Sequence, residues 1–161
     1  MTTAINPVTG GFVASASLTS DLQAVLVALL ELQNQAKQAH WALVGPQFRS
    51  VHLQLDEIVG EVREHVDTIA ERLRALEAMP DGRTATIYAT STLEPFPAGE
   101  VTVVSAAGII ADRILATVSV MRGVHDEVDN QDPTSADILH VVIEGLEKQR
   151  WMLTSQVRHL D

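Results

Sequence analysis

Cysteine is absent from the 161 residues, which excludes disulfides, thiolate metal sites and thiol nucleophiles. Any chemistry must therefore use the nitrogen and oxygen donors of His, Asp and Glu. Basic side chains are also scarce: 11 Lys and Arg stand against 21 Asp and Glu, for a formal charge of -10. A general binder of nucleic acid more often carries the opposite sign. The first 20 residues hold no charged side chain at all, and with neither a basic start nor an apolar block they do not read as a signal peptide. No stretch reaches the ~18 unbroken apolar residues of a membrane span, so a cytoplasmic address is the default expectation.

The content that remains, 46% hydrophobic and 20% charged, fits one soluble domain with a substantial core. Residues 1–17 read as a flexible tail and 18–161 as the folded domain. Leu18, Leu22, Val25, Leu29, Leu32, Ala36, Ala39 and Leu43 alternate steps of four and three, the seam of a long amphipathic helix that Gly45-Pro46 ends. A second helix is expected from about Phe48 to Glu77 through Val51, Leu55, Ile58, Val62, Ile69, Leu73 and Leu76, stopped by Pro80-Asp81-Gly82. Residues 80–100 hold three of the six prolines and read as a long connection with room for one short helical turn. A third helix follows from roughly Val103 to Asp129. A fourth begins near Thr134, with Thr134 as N-cap and Asp137 three residues on as an acidic relative of the capping box. The pattern describes an all-α, ferritin-like four-helix bundle with one long crossover; an up-down-up-down bundle with a decorated loop satisfies it too.

Bundle metal sites that close within one chain use Glu-x-x-His on two helices, because positions three apart share a face. That motif does not occur. The nearest match, Asp137-x-x-His140, reads on its own as solvated surface. The second helix offers two pairs instead, His52 with Asp56 and Asp67 with Glu71, all on one stripe. Their centres are ~22 Å apart at 1.5 Å per residue, too far for one ion. The two pairs are, however, symmetric about the same point between Glu61 and Val62. A two-fold axis there would lay two copies of the helix antiparallel, setting His52 beside a second copy's Glu71 and Asp56 beside its Asp67, with Gly60 permitting close approach. His40, one turn before Gly45-Pro46, reaches toward His52 across the corner. Two imidazoles and three carboxylates suit Fe(II), Zn or Mn. The three acids equally describe the wet face of a helix.

The runs His40-Trp41-Ala42-Leu43-Val44-Gly45-Pro46-Gln47-Phe48, Val51-His52, Asp56 and His65-Val66-Asp67-Thr68-Ile69-Ala70-Glu71-Arg72 resemble the signature of the Dps family of mini-ferritins. The likeness extends from about residue 18 to the end and includes Trp151-Met152. It implies a hollow dodecamer built from two-fold dimers, with two iron ions at each ferroxidase site. It also implies Fe(II) and hydrogen peroxide as substrates and a stored ferric oxide. His40, His52 and Asp56 match the ligands from one chain, and Asp67 and Glu71 those from the other. Trp41 matches a tryptophan near the site, placed either to supply an electron or to pack the core, and Lys37 stands one turn before His40 as a supporting residue.

Between Arg122 and Lys148 lie seven acids and no Lys or Arg. The resemblance places this segment around three-fold pores, with Asp137, in the first turn of the last helix, as the leading metal-attracting residue and Asp126 and Asp132 behind it; the same acids also suit an ordinary solvated corner. Two other function classes compete with iron oxidation. A DNA-compacting protein is disfavoured by the charge balance and by the lack of any Lys or Arg before Lys37. A metal-dependent hydrolase would need a substrate pocket that no motif announces.

Overall fold

The computed structural model describes residues 11–158, so most of the expected tail, and the last three residues, lie outside the described part. Five helices follow in order: α1 (Ala16–Ala42), α2 (Phe48–Ala75), the short α3 (Thr84–Thr90), α4 (Val103–Gln131) and α5 (Pro133–Val157). Two-residue strands β1 (Leu43–Val44) and β2 (Val101–Thr102) pair in parallel, Leu43 opposite Val101 and Val44 opposite Thr102. α1 packs on α2 and α4, and α5 packs on α4 and α2, giving a square four-helix bundle.

The seam positions account for this packing. Leu18, Leu22, Val25, Leu29, Leu32, Ala36 and Ala39 of α1 are wholly buried, as are Val51, Leu55, Ile58, Val62, Ile69 and Leu73 of α2. α4 is long and apolar enough to cross a bilayer by length and composition. Asp112 and Arg113 interrupt its apolar run, and Ala106, Ala107, Ile110 and Ile114 face the bundle core.

Helix ends depart from the sequence reading in instructive places. α1 starts at Ala16, where the Ser15 hydroxyl accepts the Leu18 N–H, and the Ala14 N–H donates to the Leu76 carbonyl. The fourth bundle helix, α5, is not capped by Thr134. Its N-cap is Asp132 and Pro133 occupies the first helical position, where a missing N–H costs nothing. Asp137 accordingly falls in the second turn, and no acid lies in the first. α2 closes before the Pro80 turn: Glu77 adopts φ 62°, and Ala78 and Glu77 donate to the carbonyls of Leu73 and Arg74, the two bonds of a Schellman motif.

The crossover is longer than any hairpin because β1–β2 pairing sets the start of α4 beside the end of α1, so α2 and α4 run parallel and the chain must travel the length of the bundle between them. It is pinned to α1 at two points. Gln23 accepts the Asp81 N–H and donates to its carbonyl, and the buried Gln35 donates to the Glu94 carbonyl, which Arg113 also reaches at 2.6 Å.

Glu77, at the C-terminal end of α2, is held in a left-handed conformation that a Cβ disfavours. Glu77→Gly should stabilise the protein by about 0.5–1 kcal/mol and raise Tm by roughly 1–3 °C, measured by calorimetry.

Candidate metal centre

The corner between α1 and α2 holds the closest group of sequence-selected residues. His40 lies in the last turn of α1 and His52 in the second turn of α2, equidistant from the corner, so the antiparallel helices set them face to face. Their rings stack with centroids 3.6 Å apart. Each Nδ1 sits 2.9 Å from the other residue's backbone carbonyl oxygen, and only a protonated Nδ1 can donate to a carbonyl. The reciprocal bonds therefore fix both neutral rings in the form whose Nε2 carries a lone pair, the form a metal ion requires. His40 is nearly buried, and Phe48 stacks on the outer side of His52 at 4.8 Å.

Asp56, one turn beyond His52, completes the group. Its Oδ1 lies 2.5 Å from Lys37 Nζ and 3.4 Å from His40 Nδ1. The hydrogen bond from Lys37 holds the Asp56 carboxyl below its ordinary range against the opposing effect of desolvation, with the ammonium's charge acting in the same direction as the bond. Lys37 thus keeps the carboxylate charged and must move aside for a cation to take its place. The same ammonium stands 5.8 Å from the centre of the Trp41 ring. Trp41 is 68% exposed, which removes the core-packing reading within one chain.

Asp67 and Glu71 are exposed and do not approach this group. They continue the stripe of Asp56, Gly60 and Arg63 along the open side of α2. Among the described residues, no three His, Asp or Glu side chains of one chain converge to hold an ion. The donor chemistry at the corner nevertheless suits a divalent transition metal: two oriented imidazoles and one carboxylate, with room left for more ligands.

The three pore candidates separate. Asp126 and Asp137 are almost fully exposed. Asp132 is not: it is 8% exposed and tied to Arg72 at 2.7 Å and to Ser135 at 2.5 Å. Burial pushes its carboxyl up, but the hydrogen bonds from Ser135 and Arg72 and the Arg72 charge prevail and hold it below the ordinary range. Asp132 is a buttress between α2 and α5 and leaves the set of metal-attracting residues.

Sequence reading passed over His125 and took His140 for solvated surface. In the fold their Nε2 atoms are 2.7 Å apart. A partial signal was available, since 125 and 140 are equidistant from the α4–α5 corner at Asp132-Pro133 and so lie at the same level across it.

The reciprocal bonding at the first corner has a direct spectroscopic consequence. Long-range 15N–1H correlation should show His40 and His52 with protonated Nδ1 at neutral pH, against the preference of free histidine, and added Zn2+ should shift the Nε2 resonances rather than Nδ1. Protonated Nε2 in both rings would contradict the geometry.

The ferritin-like domain family matches residues 19–161. The DNA protection during starvation protein of Agrobacterium fabrum is 31% identical over 146 residues, covering 90% of this chain and 90% of that protein. The fine tangled pili major subunit of Haemophilus ducreyi is 35% identical over 153 residues, 95% of this chain and 77% of its own length. Among solved structures, Dps92 from Deinococcus radiodurans superposes with a TM-score of 0.85 at 28% identity, covering 89% of this chain and 87% of that one. Dps from Microbacterium arborescens in its high iron form gives 0.83 at 28% identity, covering 91% and 99%. With the family match spanning the bundle, and relatives and solved structures matched over most of their own length, the chain belongs to the Dps family of the ferritin-like superfamily.

Proposed function

We propose that this protein is an iron-storing and iron-detoxifying homo-oligomer. It oxidises Fe(II), preferentially with hydrogen peroxide, at sites shared between two chains and keeps the ferric oxide inside a hollow dodecamer. The observation that carries this reading is the open stripe of α2, whose two ends bear complementary halves of a ligand set. His52 and Asp56 at one end, with His40 behind them, would meet the partner's Asp67 and Glu71 when two helices cross antiparallel. Gly60 supports the crossing. A Cβ there would meet nothing within 4 Å in the chain itself, so internal packing gives no reason for a glycine, whereas a second backbone close by would.

The chemistry follows from the donors. Two Fe(II) ions bring four positive charges, and three carboxylates would offset most of them while the two Nε2 lone pairs add nitrogen donors and leave positions open for the oxidant. Each Fe(II) gives up one electron, peroxide accepts both, and its O–O bond breaks with the oxygen leaving as water or oxide. Taking the two electrons together avoids the one-electron step that releases hydroxyl radical. Hydrolysis of the ferric product releases protons to solvent. Asp126 and Asp137, exposed in the acid-rich stretch at the α4–α5 corner, contribute a negative field that draws cations toward the assembly. Trp41, exposed beside Lys37, stands where it can supply an electron should peroxide be reduced before a second iron is bound.

The shared site makes a prediction specific to its geometry. His52→Ala and Glu71→Ala should each abolish most peroxide-driven iron oxidation, followed by the absorbance of ferric oxide, while leaving assembly intact. Co-assembled in equal amounts, the two variants should regain about a quarter of the native sites, because each mixed dimer pairs one intact His52 with one intact Glu71. No recovery in confirmed mixed dimers would sink the cross-chain arrangement.

DNA binding is the competing reading, raised by the names of several relatives. The charge of -10 and the absence of Lys or Arg before Lys37 oppose it. Gel retardation at near-physiological salt should show no duplex shift, and tight binding there would reverse this conclusion.

A further inference from the structure

We propose that His125 and His140, with Glu144, form a second divalent transition-metal site at the α4–α5 corner, separate from the His40–His52 corner and independent of whether that corner oxidises iron. The Nε2 atoms of the two rings are 2.7 Å apart and the ring centroids 4.7 Å apart, tilted by 31°. At that separation one Nε2 must donate a proton and the other accept it. The direction is set by Asp126, whose Oδ1 lies 3.0 Å from His125 Nδ1 and accepts its proton. His125 Nε2 is therefore the lone pair, and His140 Nε2 carries the shared hydrogen. Carboxylate behind an imidazole, with the far nitrogen presented to a cation, is the arrangement that orients histidine ligands in metal sites.

A metal ion can replace this proton. Two Nε2 atoms bound to one tetrahedral ion at ~2.05 Å each stand ~3.3 Å apart, so the rings need to part by only about 0.6 Å. The His140 side chain is 59% exposed and free to swing by that amount. As the ion binds, His140 changes tautomer: the proton leaves Nε2 and, by way of solvent, one is taken up at Nδ1, which faces Asp137 3.7 Å away. Glu144, four residues after His140 on the same face of α5, lines the hollow in front of both rings and is exposed, so rotation brings its carboxylate to the ion as a third donor. Arg122 and Glu147, also in the hollow, are occupied with each other at 2.6 Å, which leaves the surroundings net acidic. Two nitrogens and one oxygen with open positions select Zn(II), Co(II) or Fe(II) over Ca(II) and Mg(II).

Cobalt titration of the full chain carrying His40→Ala and His52→Ala isolates the new site from the first. The expected result is one Co2+ per chain with the visible d–d band of a four-coordinate ion. His125→Ala or His140→Gln should abolish the band, Glu144→Gln should weaken it, and Asp126→Asn should lower affinity about tenfold through loss of the imidazole's orienting partner. In the otherwise native chain, His125→Ala should lower bound Co2+ by one per chain, which serves if the doubly substituted protein fails to fold. A band unchanged by His125→Ala and His140→Gln, or its absence in the parent, would overturn the site, and unchanged affinity in Glu144→Gln would overturn the ligand set. Peroxide-driven iron oxidation that depends on His52 reads the first site alone, so failure of either can be told from failure of the other.

Discussion

Residues equidistant from a tight corner between antiparallel helices lie at the same level, and where both are on the facing sides of their helices they meet; that constraint underlies both histidine pairs of this protein. At the α1–α2 corner it stacks His40 on His52, and at the α4–α5 corner it sets His125 against His140. The corners themselves are fixed by local chemistry. Gly45 and Gln47 take up left-handed backbone at the first, and Pro133 with the Asp132 buttress forms the second. The seams then hold the helices in register along their length, so ring-to-ring distances of a few ångströms survive without a single covalent cross-link.

The two pairs use backbone and side-chain partners differently, and the difference bears on what each can do. His40 and His52 lend each other their backbone carbonyls, which turns both lone pairs outward and leaves no proton to expel. His125 and His140 share a proton that an ion must displace. Lys37 plays a related part at the first corner by pairing with Asp56 and holding its carboxylate ionised. Arg72 does the opposite work for Asp132, holding it in a buried pair that joins α2 to α5 and taking it out of reach of solvent cations.

The remaining exposed stripe of α2 explains why a single chain looks incomplete. Asp56, Asp67 and Glu71 are carboxylates without a common ion, spread along one face with a glycine near its middle. In the proposed dimer a second copy would bring the histidine end of its own stripe alongside these acids. The bundle core, by contrast, is complete within the chain, since the seam leucines, isoleucines and valines of all four long helices are buried there.

The sequence by itself determined the four long helices, their buried seams and the crossover, because periodicity of apolar residues is a local signal that burial merely confirms. It also exposed the symmetric spacing of His52, Asp56, Asp67 and Glu71, since distance along a helix is arithmetic. The tertiary structure decided the rest. The β1–β2 pairing is two residues long and leaves no pattern to read. The cap of α5 moved from Thr134 to Asp132 because Pro133 fits the first helical position and Arg72, sixty residues away in sequence, holds the Asp132 carboxylate. That same long-range pair withdrew Asp132 from the exposed acids, and packing left Trp41 at the surface. His125 and His140 became a pair only when the helices folded back on each other, because which side chains meet across a corner depends on where the corner falls.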